Sequence, residues 1–274
     1  MGHKKLTKRL ISLGKILIGI IIISPIILGF FMSFMTSSEF SNYPPSIIPQ
    51  SFSFENYHLA LRSLPLVTFM INSFIVCAIV IVAQMITCSF SAYAFTFFEF
   101  KGKKILFICV LATMMIPSEA TIIANFLTIS SFKLNDTYTA LVLPYLTSAM
   151  GIFLMRQYFL TVPKEIKEAA TIDGCSDLNF MFRVLIPIST PVLASLGIYV
   201  FIQTYNQYFW PLLVTNSNKM RTIQIGMSML KMAEAVNYGV VLAGAIMVLL
   251  PSIFVFSLGQ RYIVKGMVAG SVKG

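Results

Sequence analysis

The stretch Leu66-Val-Thr-Phe-Met-Ile-Asn72-Ser-Phe-Ile-Val-Cys77-Ala-Ile-Val-Ile-Val-Ala-Gln84-Met-Ile-Thr-Cys88-Ser-Phe-Ser-Ala-Tyr-Ala-Phe-Thr-Phe-Phe98 runs for 33 residues without a charged side chain. About 20 apolar residues cross the hydrocarbon of a bilayer as helix. This stretch is therefore one long crossing, too short for two crossings and a turn. Working outward, the gaps between charged residues mark six such windows: 16–35, 66–98, 105–117 continuing past Glu119, 138–155, 184–213 and 235–260. Pro117 and Glu119 interrupt the third, which is tolerable where neighbours re-satisfy the freed backbone groups. The composition agrees. Of the 274 residues 57% are hydrophobic and 11% charged, and the mean hydropathy is +0.83. A soluble domain carries about 25% charged residues, so a water-soluble fold and a disordered chain are both excluded.

The net charge of +10 would hint at nucleic acid in a soluble protein. Here it follows from sidedness, because cytoplasmic loops collect Lys and Arg. With the N-terminus inside, fifteen of the twenty basic residues fall in Lys4–Lys15, Lys101–Lys104, the loop holding Arg156, Lys164, Lys167 and Arg183, and the tail with Arg261, Lys265 and Lys273. Five fall outside: Arg62, Lys133, Lys219, Arg221 and Lys231. The expectation is a multi-pass protein of a bacterial plasma (inner) membrane, with both termini cytoplasmic, in contact with lipid and not with nucleic acid. The first window lacks a small-residue cleavage site and reads as an uncleaved anchor. The outside loop 37–64, with Pro44, Pro45 and Pro49, reads as irregular with a short interfacial helix near 54–61.

Chemistry is sparse. Cys77, Cys88, Cys109 and Cys175 form no CxxC pair and read as small buried hydrophobes. His3 and His58 have no nucleophile or metal partner nearby in sequence. No Gly-x4-Gly-Lys-Ser/Thr phosphate loop occurs, so this chain lacks that route to ATP. No catalytic or metal residue is assigned and no cofactor is expected in this chain. The spans are almost free of ionisable groups, unlike those of proton-coupled carriers; Glu119 is the one candidate, read as lying near the outer end of a span.

The longest inside loop is the most informative. It reads Pro163-Lys-Glu-Ile-Lys-Glu168-Ala169-Ala170-Thr-Ile-Asp173-Gly174-Cys175-Ser176 and continues to Val184-Leu-Ile186-Pro187. Pro163 and Glu165 suit a first helical turn. Ile166, Ala169, Ala170 and Asp173 share one helical face, with two alanines to admit a partner closely. Gly174 suits a left-handed helix end, and Ser176 the cap of a second short helix. The spacing predicts a helix–turn–helix elbow, and by itself also fits an interfacial amphipathic helix with no partner. The residue pattern is more specific. Glu-Ala-Ala, three residues, Gly, nine residues, then Val-x-Ile-Pro resembles the EAA loop of permease subunits of bacterial ATP-binding-cassette importers. Val184 and Ile186 replace Ile and Leu there, and Cys175 stands where Ala is usual. Gly151-Ile-Phe-Leu-Met-Arg-Gln-Tyr-Phe159 and Tyr205-Asn-Gln-Tyr-Phe-Trp-Pro-Leu-Leu213 are similar to the same family, in its carbohydrate-importer branch.

The resemblance implies an all-α integral membrane protein with six transmembrane helices, the type I importer permease fold. Residues 1–274 form one polytopic domain, and 156–187 are its cytoplasmic coupling loop. It implies a non-catalytic subunit that forms an alternating-access pathway with a second permease subunit. A dimer of ATPase subunits binds ATP and magnesium, and an extracytoplasmic binding protein delivers a sugar, polyol or glycerol phosphate, glycerol 3-phosphate being a leading candidate. Glu168, Ala169, Ala170, Asp173, Gly174 and Pro187 are its expected ATPase-coupling residues.

Independently, Tyr199, Gln203, Asn206 and Trp210 fall at i, i+4, i+7 and i+11, with Gln207 adjacent. This polar and aromatic stripe suits either a substrate pathway or helix–helix hydrogen bonding. Gly239, Ala243 and Gly244 give the last span a small-residue face for close packing. Asn72 and Gln84 are expected to do no more than pack. Lys219, Arg221 and Lys231 suit guidance of an anionic solute, docking of an acidic partner or plain solvation. The rival classes are a self-sufficient carrier or channel, which needs no elbow, and a membrane enzyme, which needs a polar constellation the sequence lacks.

Overall fold

The computed structural model describes residues 2–40, 48–234 and 237–269, with side chains between 11 and 260. Pro44, Pro45, the Ala235 start of the sixth window and Lys273 lie outside the described residues. The described residues are all helical or irregular. The helices are α1 (Gly2–Met32), α2 (Ser37–Phe40), α3 (Glu55–Ser63), α4 (Leu66–Phe97), α5 (Lys103–Thr113), α6 (Ser118–Ser131), α7 (Tyr138–Val142), α8 (Ala149–Phe159), α9 (Lys164–Ile172), α10 (Asp177–Phe180), α11 (Ile186–Ile188), α12 (Thr190–Tyr205), α13 (Phe209–Val214), α14 (Ile223–Ala233) and α15 (Tyr238–Ala269).

Among the described residues three helices are each long and apolar enough to span a bilayer: Ile11–Met32, Leu66–Phe97 and Tyr238–Gln260. Three bent helix pairs are long and apolar enough when taken together: α5 with α6 at 95°, α7 and its following turn with α8 at 48°, and the helices from Asp177 to Ile188 with α12 at 77°. The six expected windows thus each meet one of these. Pro117 begins the second half of the third, immediately before α6. α1 shows why lipid is required. Ile16, Leu17, Ile18, Ile20, Ile21, Ile22 and Ile23 are all at least half exposed and cover every side of the helix. Hydrocarbon accepts such a surface, whereas water does not. The short helix expected near 54–61 is α3.

The chain divides into two compact units, Met1–Val67 with Gly226–Leu250, and Thr68–Ile225 with Pro251–Gly274. In the first, Asn56 is buried and donates from Nδ2 to the carbonyls of Ser33 (2.9 Å) and Met35 (2.7 Å). Phe34 packs its ring against Phe30, Phe52, Phe54 and Tyr57. The small-residue face does pack closely: a Cβ on Gly239 would stand 2.5 Å from Asn56 Nδ2, and one on Gly244 2.4 Å from Leu230.

The second unit holds a continuous apolar core, among it Val80, Cys88, Ala92, Met155, Phe159, Phe180, Leu185, Leu196, Val200 and Trp210. Gly151 is required there, since a Cβ would meet Cys88 Sγ at 2.6 Å. Asn72 does more than pack: its Nδ2 donates to the carbonyls of Lys219 and Arg221 and its Oδ1 accepts from Tyr138. The expectation of four buried cysteines is corrected, because Cys109 is exposed and Cys175 half-buried; α5 buries no residue.

Candidate functional site

Two features of the second unit hold the expected site residues, an elbow and a cavity. The elbow begins at α9, with Pro163 one residue before the helix and Glu165 in its first turn. It ends in a full Schellman turn. Gly174 takes φ +75°, its N–H donates to Thr171 O (3.1 Å), and the Cys175 N–H donates to Ala170 O (2.8 Å). A Cβ on Gly174 would meet nothing within 4 Å, so backbone handedness and not space demands glycine here. Ser176 then caps α10, accepting from Asn179 N–H. A π-helical turn over Met181–Leu185 leads into α11, which carries the exposed Pro187. The chain breaks by 77° at Ser189 before α12.

A clasp holds the two arms of the elbow. Lys167 Nζ bonds Asp177 Oδ1 and lies 4.7 Å over the Phe180 ring. Tyr93, on α4, donates to the same Asp177 oxygen at 3.0 Å. The Lys167 bond, then the Tyr93 bond, hold the Asp177 carboxyl below its usual range. Sequence reading missed this clasp; its only trace was one Lys and one Asp ten residues apart across a glycine turn.

Of the expected face, Ile166, Ala169 and Asp173 are exposed. Ala170 is half-buried and packs on the core, because the Lys167 edge of α9 is drawn inward. The outward face carries Glu165, Glu168, Ala169 and Ile172, and Ile172 is 86% exposed. Asp173 ends the helix and is exposed. Among the described residues Glu168 makes no ion pair.

The cavity, of about 620 Å³, is lined by all five residues of the expected stripe, Tyr199, Gln203, Asn206, Gln207 and Trp210. They do not form one helical stripe. α12 ends at Tyr205 with Asn206 as its cap, and Trp210 belongs to α13. Pro211 was the available signal, since proline is tolerated in the first turn of a helix and so marks a new start near Phe209. Trp210 is 3% exposed and donates its indole N–H to Ala140 O at 3.1 Å; its place is largely in the wall.

Three other spans complete the lining. α4 supplies Gln84, which donates to Tyr145 O at 2.8 Å while its buried Oε1 has no partner. α6 supplies Glu119 and Asn125, and the chain joining α7 to α8 supplies Tyr145 and Ser148. Glu119 stands just after the break between α5 and α6 and accepts from Ser118 Oγ at 3.1 Å. No group of three potential metal-binding side chains occurs among the described residues.

Six apolar crossings, three of them broken, with an exposed elbow and a polar cavity define a multi-pass membrane permease. Residues 84–268, more than half of the chain, match the family described as binding-protein-dependent transport system inner membrane component, and the chain belongs to that family. It is 38% identical over 263 residues to the sn-glycerol-3-phosphate transport system permease protein UgpE of Brucella melitensis, covering 92% of this chain and 93% of that one. It is 32% identical over 268 residues to the arabinooligosaccharides transport system permease protein AraQ of Halalkalibacterium halodurans, covering 97% and 96%. Its fold matches a chain of a bacterial ABC transporter involved in import of the acidic polysaccharide alginate, with a TM-score of 0.83 at 23% identity over 94% of this chain and 96% of that one. The chain thus has the all-α type I permease fold and is a non-catalytic permease subunit of a sugar-type ABC importer.

Proposed function

We propose that the chain forms, with a second permease subunit, the alternating-access pathway of an importer for a sugar or a related polyol or glycerol phosphate. A dimer of ATPase subunits carries ATP and magnesium, and an extracytoplasmic binding protein delivers the solute. The elbow, residues 156–187, faces the cytoplasm with both termini. Its outward face docks in a cleft of the ATPase: Glu168 meets a basic residue there, and Ala169 and Ile172 make the apolar contact. Ala170, Asp173, Gly174 and Pro187 hold the elbow's shape. ATP closes the ATPase dimer, and the elbow passes that rigid-body motion to the spans, a bias between two states set by differential ATP binding. Tyr199, Gln203, Asn206 and Gln207 line the solute's path, with Trp210 in its wall.

The observation that carries this reading is the outward face of α9, an acid without an ion pair beside an almost bare isoleucine, on an elbow clasped firmly from within. A partner with a basic rim and an apolar cleft fits such a face. The test is Glu168→Lys in the complete importer. The solute is first identified by screening arabino-oligosaccharides, maltose and glycerol 3-phosphate for stimulation of ATP hydrolysis. Its uptake is then expected to fall about tenfold or more, as a like-charge contact replaces an attractive one, with the protein still in the membrane. Undiminished uptake would refute the coupling role.

A further inference from the structure

A second cavity of the same unit, of about 750 Å³, has no part in the solute pathway. It is lined by the end of α4, the first turns of α5 and Arg156 of α8, the residue at which the elbow's loop begins. Its charge is lopsided: Lys103, Lys104 and Arg156 stand against one acid, Glu99. Glu99 pairs with Lys103 at 3.0 Å, but its side chain is 89% exposed, so water screens that pair. Lys104 is exposed, and its side chain makes no hydrogen bond or ion pair among the described residues. Arg156 is partly buried and held in place. Its Nε–H donates to Phe95 O at 3.3 Å, and its guanidinium carbon lies 4.1 Å from the centre of the Phe107 ring. The N–H donors on its two Nη atoms have no partner among the described residues, and no acid pairs with it there.

Sidedness accounts for basic residues in this loop. It does not account for a partly buried arginine without an acid, because a cation drawn out of water needs a counter-charge. Nor does it account for two lysines in the first turn of α5, where the helix dipole disfavours them and no acid is present. The neighbouring surface is apolar. α5 buries no residue, and its Ile105 and Ile108, both in the lining, are 70% and 55% exposed. Cations at the end of a span, followed at once by bare aliphatic side chains along it, match a ligand with an anionic head and hydrocarbon tails. A free phosphate or an acidic peptide would use only the cations. A zwitterionic lipid also brings a phosphate, but its quaternary ammonium would lie among like charges. Basic pockets between membrane helices suit anionic head groups, and a guanidinium meets a phosphate by two parallel hydrogen bonds. We propose that this cavity binds an anionic phospholipid of the phosphatidylglycerol type, with Arg156 and Lys104 on its phosphate and its acyl chains along Ile105 and Ile108. The lipid belongs to the leaflet on the elbow's side, which is the inner leaflet if the elbow faces the cytoplasm as proposed above.

The probe is a phosphatidylglycerol with a photoactivatable diazirine in one acyl chain, set against a phosphatidylcholine carrying the same group. The complete importer is reconstituted in phosphatidylcholine vesicles with either probe as a minor component and irradiated, and adducts are mapped by peptide mass spectrometry. Residues 103–108 are expected to take about tenfold more of the phosphatidylglycerol probe. Lys104→Gln should cut that preference about fivefold, the worth of one basic residue near an anionic membrane surface, and Lys104→Arg, which keeps the charge, should retain it. Lys104→Gln breaks no side-chain hydrogen bond or ion pair found among the described residues, so misfolding does not mimic the result. Equal labelling by the two lipids, or a preference indifferent to Lys104→Gln, overturns the proposal. So does the absence of any adduct at 103–108, the result if the second permease subunit covers α5. Millimolar inorganic phosphate should leave the labelling unchanged; its loss would mark a site for soluble phosphate and overturn the lipid assignment. None of these results bears on the docking of α9, which uptake by the Glu168→Lys importer tests separately.

Discussion

The elbow and the cavity are built on opposite plans. The elbow is one continuous stretch of chain whose inner groups are satisfied: a Schellman turn at Gly174, a serine cap at Ser176, and a clasp of Lys167, Asp177 and Tyr93. What it leaves unpaired, Glu168 and Ile172, points outward. The cavity is assembled from segments as far apart as Gln84 and Trp210, and the side-chain amides of Asn125, Gln203 and Gln207 in its lining have no hydrogen-bond partner among the described residues. A part that transmits motion needs internal stiffness and a free outer face. A part that passes a solute needs free groups inside, because bonds already made cannot exchange with a moving ligand.

The sharpest way to separate wall from lining within the cavity is to compare Trp210 with Gln203. Trp210→Phe removes the indole donor and leaves the Ala140 carbonyl buried without it, a loss of about 1–3 kcal/mol, visible as a lowered melting temperature of the purified complex. Gln203→Ala touches no hydrogen bond found among the described residues and should stay within about 0.5 kcal/mol. Equal losses would erase the distinction between the two positions.

On the elbow, Gly174→Ala forces an L residue to φ +75°, at a cost of about 1–2 kcal/mol with no steric clash to confuse the result. Hydrogen exchange across 164–180 should speed up while the spans stay protected. The smallest effect is expected from Asp177→Asn, at about 0.2–1 kcal/mol, since half of that side chain is exposed. Its pH dependence has a definite sign. The fold depresses the Asp177 pKa from 3.8, so the clasp's contribution is complete above about pH 3.8 and is lost as pH falls through the lower folded value. Local exchange in the wild-type elbow should rise only in that acid range, and the Asn variant should show no such step.

Much of this was readable from residue order alone. Runs without charge gave the six crossings, because lipid penalises charge along a whole span. Gly174 announced the turn, because a left-handed helix end favours one residue type. That Ala170 packs on the core was not readable, because periodicity reports which residues share a side but not which edge a distant Asp177 and Phe180 draw inward. The cavity stripe contained the right residues with the wrong geometry: Tyr199 to Trp210 keep helical spacing, yet the helix stops at Tyr205. Gln84 and Glu119 went unread as lining, since nothing local in a sequence says that two residues on separate spans face one space.

The central claim is that the elbow's outward face is an ATPase contact. A photo-cross-linking residue at position 172, in the complete importer in its native membrane, tests it most directly. The predicted result is an adduct with the ATPase subunit that weakens when Glu168→Lys is added. An adduct formed only with lipid or with the permease subunits, in a complex that still imports its solute, would contradict it.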